Sequence, residues 1–188
     1  MKPRMIALTG CIGSGKSTVA KILSQEYSFD VVDCDVLARE VAEDSDVLAE
    51  ISALLGKNCI VDGKLDRKKV RETVFADAEL HKRYSALFFE KVKKLLQQRV
   101  EGLQTVFVEI PVISAFEWDW YEVWLVDSAR DKCVSRVVSR DSVSEENVGN
   151  ILSRQPACKT FTRIISNDGT VDDLRAQLTL ALRQAHII

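Results

Sequence analysis

Histidine is scarce: His81 and His186 are the only two, too few and too far apart to suggest a zinc site. No C-x-x-C pair occurs among Cys11, Cys34, Cys59, Cys133 and Cys158. An odd number of dispersed cysteines argues for reduced thiols in a cytoplasmic protein, not for a disulfide scaffold. No apolar stretch approaches the roughly 20 residues that a membrane span requires. The run from Met1 to Thr9 is short, leads straight into a glycine loop and lacks a small-residue cleavage site. It reads as a strand, not a signal peptide. No basic block marks a nucleic-acid binder, and 26 basic against 28 acidic residues leave a formal charge of −2. What is present is ordinary: 188 residues, 46% hydrophobic and 29% charged, fit one compact domain. A chain of this length buries roughly 70% of its unfolded surface, so it folds without disulfide or structural metal. Nothing fixes an oligomeric state, and a monomer is compatible with the composition.

Short apolar runs alternate with longer helical patterns, the signature of a parallel α/β sheet covered by helices. The expected strands are Met5–Thr9, Val31–Asp33, Thr105–Glu109, Val123–Asp127 and Arg163–Ser166. Several end in polar or acidic residues, at the carboxyl edge where open α/β sheets bind ligands. The stretch between the second and third strands is too long for a plain crossover. It carries apolar stripes, first Val47, Leu48, Ile51, Leu54 and Leu55, then Leu80, Tyr84, Leu87, Phe88, Val92, Leu95 and Leu96. Asn58–Asp66, with Asp62-Gly63, is expected to be a turn between these helical parts. An arginine-rich section from Arg136 to Arg163 suggests a helix, a break near Pro156 and a return to the sheet. Leu174, Leu178 and Leu182 then space a C-terminal amphipathic helix.

The loop Gly10-Cys11-Ile12-Gly13-Ser14-Gly15-Lys16-Ser17 satisfies G-x-x-x-x-G-K-[ST] between an apolar run and a helical pattern (Val19, Ile22, Leu23). This is a P-loop in its proper context. Glycines let several backbone N–H groups converge on phosphate oxygens, and the following helix points its positive end at the same anion. Lys16 is expected on the β- and γ-phosphates of ATP, Ser17 on Mg²⁺, and Thr18 at the start of the helix. Thr9, at the strand end, is either structural or a substrate contact. Cys11 is either a tolerated small residue or a redox-sensitive thiol. Asp35 follows the second strand, as helix cap or as proton acceptor, and Arg39 shares its helical face at a spacing of four.

With these residues in view, the sequence resembles the dephospho-coenzyme A kinase family along nearly its whole length. The similar segments are Ala7-Leu8-Thr9-Gly10 with the loop, Asp33-Cys34-Asp35 through Val41, Asp62-Gly63-Lys64-Leu65-Asp66-Arg67, and Val74-Phe75. Arg136 through Asp141, then Gln155, then Asn167-Asp168-Gly169 follow in order. The resemblance implies a P-loop NTPase fold with a parallel five-stranded sheet flanked by helices. It also implies an inserted helical acceptor-binding region at about residues 36–100 and a helical lid at about residues 138–162. The implied reaction moves the ATP γ-phosphate to the ribose 3′-hydroxyl of dephospho-coenzyme A, with Asp35 as base, Arg140 as a lid arginine and Arg39 on the substrate. Asn167 lies where the family's adenine-side loop passes, and Glu109 keeps a carboxylate where a Mg²⁺-linked water sits. Three departures stand out: Phe89-Glu90 replaces the family's His-Pro pair, Ser114-Ala115 ends a run that usually reaches a glutamate, and Cys11 replaces a loop glycine. Another small-metabolite or nucleoside kinase, or a nucleotide-binding regulator, are the rival readings.

Overall fold

The computed structural model describes residues 2–75, 77–111, 113 and 118–188. The chain forms two compact units, Met1–Asp33 with Val100–Ile188, and Cys34–Arg99. The first opens with strand β1 (Arg4–Thr9), helix α1 (Lys16–Glu26) and strand β2 (Asp30–Asp33). The second holds α2 (Cys34–Val41), α3 (Ser45–Leu55), a 3-10 turn (Lys57–Cys59), β3 (Ile60–Val61), β4 (Lys64–Leu65), α4 (Arg67–Phe75) and nearly all of α5 (Ala78–Val100). The chain then returns to the first unit through β5 (Thr105–Glu109), β6 (Glu122–Asp127), α6 (Arg130–Asp141), α7 (Glu145–Arg154), β7 (Arg163–Ser166) and α8 (Val171–Gln184).

In the first unit the five expected strands form one parallel sheet, ordered β2-β5-β1-β6-β7. β1 lies at its centre, which is why Met5, Ile6, Ala7 and Leu8 read as an unbroken apolar run: all four are buried. Ile6 and Leu8 join Phe107 of β5 and Trp124 of β6 in one core with Val19, Ile22 and Leu23 of α1 and Leu174, Leu178 and Leu182 of α8. The Phe107 and Trp124 rings meet edge to face, 5.2 Å between centroids, and Phe29 meets Phe107 at 5.3 Å. This layer sets β1 firmly, and the glycine loop begins where β1 ends.

The helix expected from Arg136 is two helices. Ser142 adopts a left-handed conformation (φ 54) after α6, and the Ser144 side chain accepts the Asn147 N–H to start α7. Apolar spacing does not register such a break, because α6 and α7 each keep their own stripe. Thr18 is likewise the third residue of α1, not its first, since the loop winds directly into the helix at Lys16.

In the second unit Asp44 caps α3, accepting from Asp46 and Val47, and Gly56 (φ 97) ends it. The segment expected to be a turn is a 3-10 turn followed by a two-residue hairpin. Asp62 (φ 50) and Gly63 (φ 73) occupy its tip, the residue pair such tips favour. Asp66 then accepts from the amides of Lys68 and Lys69 and starts α4, a helix whose charged sequence left no clear stripe. Val92 and Leu96 of α5 are buried, as their spacing predicts. Ser114 and Ala115, one of the departures noted above, lie outside the described residues. Among the described residues no helix is long and apolar enough to cross a membrane.

Replacing Trp124 by alanine is expected to cost about 3–5 kcal/mol, read from urea denaturation. A loss below about 1 kcal/mol would mean that this ring does not hold the sheet together.

Candidate active site

The loop from Gly10 to Ser17 joins β1 to α1, and its backbone is glycine-dependent for a reason the bare motif does not give. Gly13 (φ 79) and Gly15 (φ 101) take left-handed conformations, and a Cβ on either would collide with what lies behind the loop. Behind Gly13 it is the carbonyl of Cys133 on α6; behind Gly15 it is the side-chain nitrogen of Asn167. Gly15 also caps α1 without any side-chain bond, so no side chain of the cap competes for the first-turn amides.

Side chains from three other segments hold the loop carbonyls. Asn167 Nδ2 donates to the Ser14 carbonyl at 2.8 Å. Arg136 Nη1 lies 3.3 Å from the Gly13 carbonyl and 3.4 Å from that of Ser14, while its Nη2 donates to the Asn167 carbonyl at 2.7 Å. Gln155 accepts the Ile12 N–H at 2.9 Å and donates to the carbonyls of Gly10 (3.3 Å) and Pro111 (3.0 Å). Lys16 Nζ donates to the Gly10 and Cys11 carbonyls at 2.9 and 3.1 Å. With the acceptors engaged in this way, the loop's character toward a ligand is that of its N–H donors.

Asp168, next to Asn167, steadies the other wall. Its carboxylate accepts the Ala129 N–H at 2.9 Å and the Ser128 hydroxyl at 2.7 Å, supplying from outside the cap that Ala129 lacks at the start of α6. Those two bonds, the amide first, hold the Asp168 carboxyl below the usual carboxylate range.

Ser17 and Glu109, both expected at a metal, are brought together: Ser17 Oγ donates to Glu109 Oε1 at 2.8 Å. Thr9, 2% exposed, and Cys11 line a cleft of about 290 Å³ beside the loop, shared with Leu125, Arg130, Gln155 and Cys158. Arg140 is not brought to the loop. Its guanidinium forks onto the adjacent Asp141 at 2.7 Å, and Arg136, one turn earlier on α6, is the arginine that touches Gly13 and Ser14. Both lie on the same helical stripe, and their spacing alone does not say which one reaches inward. Asn167 and Gln155 belong to no general loop motif; only the resemblance to the family drew notice to them.

Within the second unit, Asp35 and Arg39 line one cavity of about 500 Å³ with Arg67, Tyr84 and Phe88. Asp35 is the second residue of α2, inside its first turn, so it is not the residue flanking the helix. Burial pushes the Tyr84 hydroxyl up, against the opposing charge of Arg67. Arg67 closes the Asp62–Arg67 stretch that resembles the family but carried no expected role, and Tyr84 and Phe88 read as packing residues of an apolar stripe. Phe89, at one of the departures from the family pattern, follows Phe88 on α5 and is 37% exposed.

A phosphate-gripping loop between the first strand and first helix of a parallel sheet, with a hydroxyl and a carboxylate beside it, defines a P-loop phosphotransferase. A solved structure of a dephospho-CoA kinase from Campylobacter jejuni has the same fold, with a TM-score of 0.68 at 24% identity over 97% of each chain. A Thermus thermophilus crystal structure superimposes with a TM-score of 0.85, 31% identity and 98% coverage of both chains. A dephospho-CoA kinase of Thermus thermophilus is 33% identical across 97% of this chain and 92% of its own length. The chain belongs to the dephospho-CoA kinase family, whose model matches residues 4–173.

The depressed Asp168 carboxyl contributes stability above the ordinary aspartate pKa of about 3.9, and this is lost as pH falls through the lower folded value. Urea denaturation of wild type and Asp168→Asn is therefore expected to show a stability difference that shrinks between about pH 7 and about pH 3. A difference independent of pH would show that the charge of Asp168 plays no part at the start of α6.

Proposed function

We propose that this chain transfers the γ-phosphate of ATP to the ribose 3′-hydroxyl of dephospho-CoA, giving coenzyme A and ADP. Use of ATP follows from membership of a P-loop kinase family. The observation that carries the reading is the loop itself, its carbonyls tied from behind and Ser17 set against Glu109, in a chain of that family.

In this reading the Gly10–Ser17 amides cradle the phosphates, and Lys16 leaves the Gly10 and Cys11 carbonyls to follow the transferred charge. A hydroxyl and a carboxylate are the hard oxygen donors that Mg²⁺ takes, so Ser17 and Glu109 fit that ion. When bound, it neutralises charge on the phosphates. Asp35 accepts the proton of the acceptor hydroxyl, and Arg39 with Arg67 offers positive charge in the same cavity to a phosphorylated acceptor. The Tyr84 phenol, kept protonated, is available there as a donor. Residues 34–99 thus form the acceptor-binding part. Residues 138–162 form a lid carrying Arg140, whose fork on Asp141 is the contact that closure breaks. Asn167 acts on the nucleotide through the loop it supports. Five free cysteines suit a cytoplasmic enzyme.

Incubation with dephospho-CoA and Mg·ATP should yield coenzyme A and ADP; ADP release without coenzyme A would overturn the reading. Lys16→Ala should lower turnover at least about a hundredfold with the fold intact, and wild-type turnover would remove Lys16 from the mechanism. For Asp35→Asn, calorimetry should show ATP still bound while transfer collapses. Loss of ATP binding instead would make the carboxylate a nucleotide group.

A further inference from the structure

Two thiols meet at the phosphate loop. Cys11 Sγ lies 3.4 Å from Cys133 Sγ, across 122 residues of chain. Cys11 stands in the loop at a position where the family pattern has glycine, and it lines the cleft of about 290 Å³, so a small oxidant reaches it. Cys133, on α6, is fully buried, and its Sγ donates to the Ser128 carbonyl at 3.5 Å. That bond turns the Cys133 proton toward Ser128 and leaves sulfur lone pairs for Cys11. Burial, followed by the contact with Cys11, pushes the Cys133 thiol up to about 12. The pair is therefore unequal: one thiol faces the cleft, and the other waits behind it in the protonated form.

We propose that Cys11 and Cys133 form a reversible disulfide when the protein meets a peroxide, and that this bond disables the phosphate loop. The Cys11 sulfur attacks hydrogen peroxide: an S–O bond forms, the O–O bond breaks, and Cys11 becomes a sulfenic acid as the first water departs. The Cys133 sulfur then attacks the Cys11 sulfur. The S–S bond forms as the S–O bond breaks, and the leaving hydroxide takes the Cys133 proton to depart as the second water. Two thiols lose two electrons and two protons in all, and one peroxide becomes two waters. A dithiol reductant reverses the step by exchange.

The consequence for the loop follows from distance. A disulfide holds its sulfurs about 2.05 Å apart, so closure draws the two sulfurs together by about 1.3 Å. There is no slack to absorb this on the α6 side, because the Gly13 backbone already abuts the Cys133 carbonyl. On the loop side, the Cys11 carbonyl accepts both Lys16 Nζ (3.1 Å) and the Ser14 N–H (3.2 Å). Moving Cys11 therefore disturbs the lysine and the turn that aim at phosphate.

The test treats the whole protein with hydrogen peroxide, blocks remaining thiols with N-ethylmaleimide and digests with trypsin without reduction. Mass spectrometry should find Met5–Lys16 joined to Cys133–Arg136, lighter than the two peptides by two hydrogens. Calorimetry on the oxidised protein should show ATP bound at least about tenfold more weakly, with recovery in dithiothreitol. Cys133→Ala should bind ATP normally, give no joined peptide and keep its affinity through the same treatment. Absence of the joined peptide, a link from Cys11 to Cys158 instead, undiminished ATP affinity in the linked protein, or equal loss in Cys133→Ala would each overturn the proposal. If Cys133→Ala does not fold, the mass and affinity of the wild-type protein decide alone. The peptide mass does not depend on which acceptor the kinase uses.

Discussion

Ser14 presents its carbonyl to the Asn167 amide and the Arg136 guanidinium, and the rest of the phosphate site rests on that pair of contacts. A loop that binds an anion must gather N–H groups on one side, which forces its carbonyls to the other, where they need partners of their own. Asn167 follows the last strand of the sheet, Arg136 sits on α6, and Gln155 follows α7. Three separate segments thus converge on a stretch of eight residues. Because Arg136 also holds the Asn167 carbonyl, and Asp168 holds the two residues that lead into α6, the supports support one another. The loop's shape is a property of the whole first unit, not of the motif.

Much of this architecture was legible in the sequence. The buried centre of the sheet declared itself as the run Met5 to Thr9, and the five strands were found because parallel strands covered on both faces are continuously apolar. Ser17, read from the loop motif, and Glu109, to which only the resemblance pointed, lie against each other because the loop after β1 and the end of β5 share one edge of the sheet. What stayed hidden was of two kinds. Breaks made by single backbone conformations, Ser142 among them, leave no trace in apolar spacing. Partners brought in from distant segments, such as Asn167 under Gly15, depend on packing that no local pattern encodes. Arg136 and Arg140 show the same limit: they share a face, and only the fold decides that Arg136 turns inward.

The second unit carries one of the two departures from the family pattern that the structure describes. Phe89 and Glu90 follow Phe88, which lines the cavity with Asp35 and Arg39, so the change falls next to the acceptor-binding candidates. The departure at Cys11 is of another sort. It puts a loop thiol against a second thiol on α6 behind the loop, where a glycine would leave that chemistry out.

Asn167 holds the Ser14 carbonyl of the loop, and in the proposed function it serves the nucleotide through that bond and not through the base. Calorimetric titration of Asn167→Ala with ATP and, separately, with inorganic triphosphate tests it directly. Removing the shorter of the two contacts to the Ser14 carbonyl should weaken both ligands by a similar factor, about tenfold. Weakened ATP binding with triphosphate binding unchanged, or no change for either, would contradict it.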